Sequence, residues 1–222
     1  MRKSVVALCF AVGAFFPSSG FGATFLVSPY TSPSAEARFD FTKTEIHYRI
    51  PEDTIHILRD IESLSWGYET FFATVGYVSK TDLHEFELAP EQFGDEPGYV
   101  IAVGARGPIW CAGEFSVELH AQFHTLNEKL VHNDISYSLQ SLELLTGADL
   151  IWSSAGWSLH AGFDAVPYSS IDVSLEALDG MERTDFLVGR IGGRVALGPV
   201  FLEAEVSVLG AEGARIGLSY DF

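Results

Sequence analysis

Histidines and acidic residues at regular spacing are the side chains best suited to chemistry in this sequence. His120 and His124 stand four positions apart, and on a helix that spacing lets two imidazoles share a metal ion. On a strand, the same spacing separates them by about 13 Å at roughly 3.3 Å per residue. The residues around them alternate as in a strand, so we expect no metal site, and no motif indicates a cofactor.

A hydrolase or acyltransferase needs a nucleophile, a base and an orienting group that converge. Ser169 and Ser170 could meet His132 and Asp134 at one rim of a barrel, but nothing in their spacing singles them out. Cys111 is better explained as a small turn residue than as a nucleophile. We therefore assign no catalytic residue, and the sequence does not predict an enzyme.

The elements that carry these residues are strands with a period of two. Between Gly113 and Thr125, apolar residues alternate with polar ones almost without a break, which predicts one dry face and one polar face. Eight segments follow this pattern. They are Ser65–Ser79, Gly98–Trp110, Gly113–Thr125, Ile135–Trp152, Trp157–Tyr168, Thr184–Leu197, Val200–Leu209 and Gly213–Phe222. An apparent change of phase near Gln140–Leu142 predicts a bulge in the fourth strand.

The polar face of these strands carries opposite charges on adjacent strands. The predicted ionic set is Arg190, Arg194, Glu203, Glu205, Arg215 and Glu118, joined by His120, His124, Glu143, Asp149, His160 and Asp164. Such a set could line an ion path or fill a narrow lumen with paired charges. We favour the structural network, because an eight-stranded barrel is just wide enough for its own side chains.

The connections between the predicted strands alternate between short and long. The short ones are Cys111-Ala112, Ser153–Gly156 and Gly198-Pro199, whereas Lys80–Pro97, Leu126–Asp134 and Ser169–Arg183 are long and Gly210–Glu212 is tight. Trp110, Trp152 and Trp157 fall at the end with the short turns, where an aromatic girdle is expected. Both features favour a transmembrane barrel over a soluble sandwich.

The last strand has apolar residues at alternate positions and ends the sequence on an aromatic residue. These residues are Ile216, Leu218, Tyr220 and Phe222. They resemble the C-terminal signature of bacterial outer-membrane β-barrels, which the barrel-assembly machinery reads. With the strand pattern, the resemblance is to small eight-stranded barrels of the OmpX type or the OmpA transmembrane type. It implies an all-β, antiparallel, up-and-down transmembrane barrel over residues 65–222.

The N-terminal part predicts export. Residues 1–23 have a positive start, an apolar run from Val5 to Phe16 and small residues near Gly20–Ala23, as in a secretory signal peptide. Residues 24–64 are predicted as a linker over Thr24–Arg38, a weak strand over Phe39–Ile50 and a short amphipathic helix over Thr54–Leu64. An extra pair of strands or a plug-like tail is the alternative for this region. The strand pair would make ten strands.

Charge and location set the expected partners. The formal net charge of −17 gives no electrostatic footprint for nucleic acid. We expect a monomer in the outer membrane, in contact with its lipids and lipopolysaccharide, where acidic loop residues need divalent cations to approach lipid phosphates. We expect a mostly filled lumen and a structural or surface-interaction role through the outer loops. A PagP/PagL-like lipid-modifying enzyme and a narrow channel or porin are the alternatives.

Overall fold

The computed structural model describes residues 35–50, 53–84, 94–132, 135–175 and 178–221 of the 222-residue chain. The predicted signal peptide and Phe222 lie outside these residues. The described part consists almost wholly of antiparallel strands. No helix in it is long and apolar enough to cross a membrane.

The described residues form eleven strands, and all of them except the two-residue β8 pair side by side in one closed ring of ten. The strands are β1 Ala35–Ile50, β2 Asp53–Tyr68, β3 Phe71–His84, β4 Gly94–Ala112, β5 Phe115–His132, β6 Ile135–Ser154, β7 Trp157–Val173, β8 Glu182–Arg183, β9 Leu187–Leu197, β10 Val200–Leu209 and β11 Glu212–Asp221. Sequence neighbours pair in order, with β7 beside β9, and β11 pairs with β1 to close the barrel. The two-residue β8 pairs only with β1. It lies opposite Tyr48 and Arg49, past the β1 residues Glu36–Glu45 that pair with β11.

The first hairpin corrects the prediction for residues 24–64. The ten-strand alternative is confirmed, whereas the amphipathic helix over Thr54–Leu64 is wrong, because this segment lies in β2. Ile55 and Ile61 are buried inside the barrel, but Leu64 is 55% exposed on its outside. Both faces of β2 carry apolar residues, so their combined spacing imitates the period of a helix.

The predicted bulge also lies elsewhere. In β6 the inward positions keep one parity from Leu139 to Ile151, so there is no change of phase at Gln140–Leu142. The irregularity is in β7, where Ala165 pairs with Thr146 but Tyr168 pairs with Leu144, which leaves one extra residue on β7. Apolar residues on both faces of β6 created the apparent slip.

The two ends of the barrel differ as predicted, although the boundaries move. We call the end with the tight connections after β2, β4, β6 and β9 the turn end. Three of these turns contain a glycine with positive φ, at Gly113, Gly156 and Gly198. At the opposite, loop end, β5 continues to His132 and β7 to Val173, so most of the predicted loop Leu126–Asp134 is strand.

A broad band of exposed apolar side chains, the apolar belt, surrounds the turn-end half of the barrel. It includes Phe39, Phe41, Leu64, Trp66, Phe71, Val75, Tyr77, Tyr99, Ile101, Val103, Leu119, Phe123, Leu150, Leu159, Phe163, Leu187, Ile191, Val195 and Tyr220. Trp110, Trp152 and Trp157 are exposed at the turn end, and Trp152 packs edge-on to Trp157 with ring centroids 4.9 Å apart. Soluble monomers rarely expose so large an apolar surface, whereas lipid-facing barrels require one.

Candidate functional site

The lumen is divided into two layers of different chemistry. Toward the turn end it holds an ionic layer of Arg38, Asp40, His120, Asp149, His160, Asp164, Arg190, Arg194, Glu203, Glu205 and Arg215. Toward the loop end it holds an apolar layer of Ile46, Tyr48, Ile50, Ile55, Ile57, Ile61, Val78, Val100, Leu126, Leu130, Leu139, Leu145, Val166, Leu178, Met181 and Val188. The lumen is the part of the molecule in which most of the predicted site residues meet.

Arg190 is the centre of the ionic layer. Its guanidinium group contacts three carboxylates: Asp149 at 2.9 Å, Asp164 at 2.7 Å and Glu205 at 2.9 Å. These acids come from β6, β7 and β10, so Arg190, which is on β9, ties together four consecutive strands of the ring. A buried charge with this many partners is compensated, which is the condition under which it can stay in a dry interior.

Two histidines extend this cluster. The Nε2 atom of His120 lies 2.5 Å from Asp164, and its Nδ1 atom lies 3.3 Å from Asp149. The Nε2 atom of His160 lies 2.8 Å from Glu205. Each imidazole is therefore held by carboxylates that also contact Arg190.

Glu203 is the centre of a second group, nearer the turn end. Ser219 donates a hydrogen bond of 2.7 Å to Glu203, and Arg194 and Arg38 lie 3.5 Å and 3.8 Å from it. Arg215 connects the groups, because its Nη2 atom lies 4.0 Å from Glu203 and 3.6 Å from Glu205.

Glycines lie opposite several side chains of the ionic layer. His120, Asp149, His160 and Asp40 have the glycines Gly147, Gly162, Gly192 and Gly217 as their respective register partners on the next strand. A Cβ atom on any of these glycines would overlap the partner's side chain. These four side chains therefore lie over the bare backbone of the neighbouring strand.

The predicted ionic residues can now be placed. Arg190, Arg194, Glu203, Glu205 and Arg215 come together in this layer. Glu118 is buried on β5 and lines a cavity of about 200 Å³ at the turn end. Arg194 and Phe201 line the same cavity, and the Arg194 guanidinium lies 3.7 Å from the centre of the Phe201 ring.

Arg38 and Asp40, which are paired at 2.6 Å, were missed by sequence reasoning. The segment that contains them was interpreted as linker and weak strand. Their polar-apolar alternation with Phe39 and Phe41 is the signal that could have found them.

The chain between β7 and β9 adds side chains to the apolar layer at the loop end. Leu178 and Met181 from this connection are buried in the layer, Leu178 completely. Thr184 donates its backbone N–H to the carbonyl of His47 at 3.0 Å, which fixes the connection to β1. Arg183 contacts Glu143 inside the lumen, and Ser169 donates to the same carboxylate at 2.9 Å.

One ion pair crosses the apolar layer. Arg59 on β2 donates two hydrogen bonds to Glu128 on β5, of 2.6 Å and 3.0 Å. Thr81 donates to the other oxygen of Glu128 at 2.7 Å. The pair joins strands that are not neighbours in the ring.

The serines considered for catalysis do not converge with His132. Ser169 is opposite Glu143 in the β6–β7 register, whereas His132 is opposite Ile135 at the far end of β6, about 26 Å away at roughly 3.3 Å per residue. Asp134 lies outside the described residues. The described geometry therefore does not bring Ser169 together with His132.

Comparison with known proteins gives the fold. No family model matches the chain, and no curated protein matches it. Among solved structures, the transport unit of the autotransporter AIDA-I from Escherichia coli is 11% identical, covers 90% of this chain and 94% of its own, and has a TM-score of 0.50.

Two further solved structures are barrels as well. Neisserial surface protein A is 11% identical, with coverage of 85% and 97% and a TM-score of 0.43. The N-terminal β-barrel domain of Pseudomonas aeruginosa OprF is 13% identical, with coverage of 87% and 100% and a TM-score of 0.40. With its closed antiparallel ring and its apolar belt, this chain has the fold of the bacterial outer-membrane β-barrels.

Proposed function

We propose that this chain is an integral outer-membrane barrel whose lumen is filled, and whose role lies in the part of the barrel that projects beyond the membrane. The observation that carries this proposal is the apolar layer across the lumen, in which Ile55, Ile57 and Leu145 are completely buried. A permeating ion would have to leave water and pass among these apolar side chains, where the charges of Arg59 and Glu128 are already paired with each other, at a high desolvation cost.

The lengths of the strands indicate which part of the barrel projects beyond the membrane. A tilted strand crosses a bilayer with about 9–11 residues. The ring strands β9, β10 and β11 have 11, 10 and 10 residues, whereas β1 and β6 have 16 and 20. The longer strands therefore form a wall beyond the apolar belt at the loop end, and this wall is a rigid surface on which a partner can bind.

Orientation and location complete the proposal. The predicted signal peptide exports the chain, and the final strand with Ile216, Leu218, Tyr220 and Phe222 is the segment that the barrel-assembly machinery would read. The turn end then faces the periplasm, and the wall faces the lipopolysaccharide layer and the medium. Six acids lie on that side: Asp82 at the end of β3, Asp95 and Glu96 at the start of β4, and Glu85, Glu87 and Glu91 in the sequence between the two strands.

The alternatives are less well supported. The filled lumen argues against a narrow channel or porin. Ser169 donates to Glu143 inside the lumen, and this contact argues against its use as a lipid-facing nucleophile. The proposal therefore takes the surface-interaction role.

The experiment that tests this proposal combines folding, location and orientation. The protein in outer-membrane fractions should migrate faster on SDS gels before boiling than after it. Cys111 is exposed at the turn end and should react with a membrane-impermeant maleimide only after the cells are permeabilised. A Cys111→Ser/Glu182→Cys variant should react on intact cells, because Glu182 lies in β8 at the loop end. Labelling of Cys111 on intact cells, or recovery in the soluble periplasm, would contradict the proposal.

A further inference from the structure

The outer surface of the β1–β2 hairpin carries a compact set of metal-ligating side chains. Glu45 and His47 lie two residues apart on the outward face of β1, and His56 is the register partner of His47 on β2. The Nδ1 atom of His56 lies 2.9 Å from Glu45 Oε1, and the Nε2 atom of His47 lies 3.8 Å from the same oxygen. The imidazole centroids are 4.1 Å apart.

We propose that Glu45, His47 and His56 form a binding site for a divalent transition metal ion, with Zn²⁺ as the best fit. One ligand atom from each residue can be chosen so that all three lie within 4.8 Å of one another. Zinc bonds of about 2.0–2.1 Å in tetrahedral geometry place neighbouring ligand atoms about 3.3 Å apart. Small side-chain rotations therefore bring the three residues onto one ion.

A fourth residue supports the site from behind. The carboxylate of Asp185 accepts a hydrogen bond of 2.8 Å from the His47 backbone N–H, and its other oxygen lies 3.3 Å from His47 Nδ1. A histidine that binds a metal through one nitrogen commonly donates the other N–H to a carboxylate. Asp185 thus fixes the ring so that Nε2 is directed toward Glu45 and His56, and it acts as a positioning residue.

The surroundings allow a cation to bind. Lys43 and Arg49 flank the site on the same face of β1, but each is close to a carboxylate, Asp60 at 3.9 Å and Glu182 at 3.2 Å. The three ligating residues are partly buried, with 16–25% of each side chain exposed. They lie beyond Phe41 and the apolar belt, so metal ions in the aqueous phase can reach them.

The donor set indicates the class of metal. Two imidazoles with one carboxylate suit zinc and its neighbours, whereas Mg²⁺ and Ca²⁺ prefer sites built from oxygen alone. The His84 position on β3 is opposite His56, so the row of histidine positions continues across a third strand. Asp185 belongs to the connection between β7 and β9, and its contacts with His47 join that connection to the first hairpin.

The test is Zn²⁺ titration calorimetry of the untagged, folded barrel in detergent micelles. Wild-type protein should bind one Zn²⁺ per barrel, and Mg²⁺ or Ca²⁺ in large excess should not displace it. Asp185→Asn removes the carboxylate that orients His47 and should weaken Zn²⁺ binding by roughly 10–100-fold. Loss of a ligand should weaken binding by more than this, in each of the variants His47→Gln, His56→Gln and Glu45→Gln. Co²⁺ loaded into the wild type should show the visible absorption of a tetrahedral nitrogen and oxygen site.

The matched control is His132→Gln, at the loop end of β5 and three strands away from β2, which should bind Zn²⁺ as the wild type does. Every variant is first checked for the faster-migrating unboiled form, so that a loss of binding is not a loss of folding. Absence of stoichiometric Zn²⁺ binding by the wild type, or wild-type affinity in His56→Gln, would overturn the proposal and leave a hydrogen-bonded surface cluster. Equal binding of Mg²⁺ would overturn the assignment to a transition metal.

Discussion

Arg59 and Glu128 form a buried ion pair across the apolar layer of the lumen, with their closest atoms 2.6 Å apart. They belong to β2 and β5, which do not touch as strands. We expect Glu128→Gln to lower the free energy of unfolding by about 3–5 kcal/mol, because it leaves the Arg59 charge uncompensated in a dry interior. Guanidinium titration of the barrel in detergent or lipid, followed by tryptophan fluorescence, measures the change.

An exposed pair provides the control for this prediction. Arg49 and Glu182 lie 3.2 Å apart, but their side chains are 66% and 70% exposed. Glu182→Gln should change stability by less than about 1 kcal/mol, because water already screens that pair. The double variant Arg59→Met/Glu128→Leu should recover most of the loss, since it removes both charges. Equal effects of Glu128→Gln and Glu182→Gln on stability would mean that the apolar layer around Arg59 and Glu128 is not dry.

The glycines beneath the ionic layer give a second prediction. Gly147→Ala should destabilise the barrel by about 1–3 kcal/mol, because the new methyl group would overlap His120, Asp164 and the Phe163 carbonyl. Gly107→Ala is the matched control, since an added Cβ there meets no atom within 4 Å. Thermal unfolding of both variants in one detergent checks the prediction, and a tolerated Gly147→Ala would mean that the layer is loosely packed.

The closure of the ring gives a third prediction. Ala37 on β1 and Tyr220 on β11 are register partners, so Ala37→Cys/Tyr220→Cys should form a disulfide on mild oxidation in a Cys111→Ser background. An eight-stranded barrel that began at Ser65 would instead bring β11 beside β3, the strand that contains Ala73. Ala73→Cys/Tyr220→Cys is therefore the negative control. The cross-linked chain is read on non-reducing gels after boiling, and cross-linking of the Ala73 variant alone would restore the eight-strand arrangement.

Where the two faces of a strand differ in polarity, the sequence was sufficient to predict the strand. Val200–Leu209 has the predicted bounds, because Leu202 and Ala204 face outward while Glu203 and Glu205 face the ionic layer. The opposite charges on β9, β10 and β11 likewise fall on one face by strand parity alone. Their distances and their contacts with Asp149 and Asp164 depend on the closure of the ring.

Where the lumen is apolar, the alternation of polar and apolar residues disappears, and the sequence does not distinguish a strand from a helix. Ile55 and Ile57 face inward, but Leu58 and Leu64 on the other face are apolar too, so the residues of β2 fitted a helix as well as a strand. The Arg59–Glu128 pair was missed for the same reason, because its residues fell in a predicted helix and a predicted loop. The Glu45, His47 and His56 cluster required the hairpin register, which only the folded hairpin supplies.

Single-channel recording in planar lipid bilayers tests most directly whether side chains fill the lumen. The protein should first show the faster-migrating unboiled form, and a general porin recorded in the same membranes confirms that conductance steps are detectable. The filled ionic and apolar layers predict that the folded barrel inserts without discrete conductance steps. Reproducible steps from the wild-type barrel would contradict the filled lumen and return the narrow channel as the better explanation.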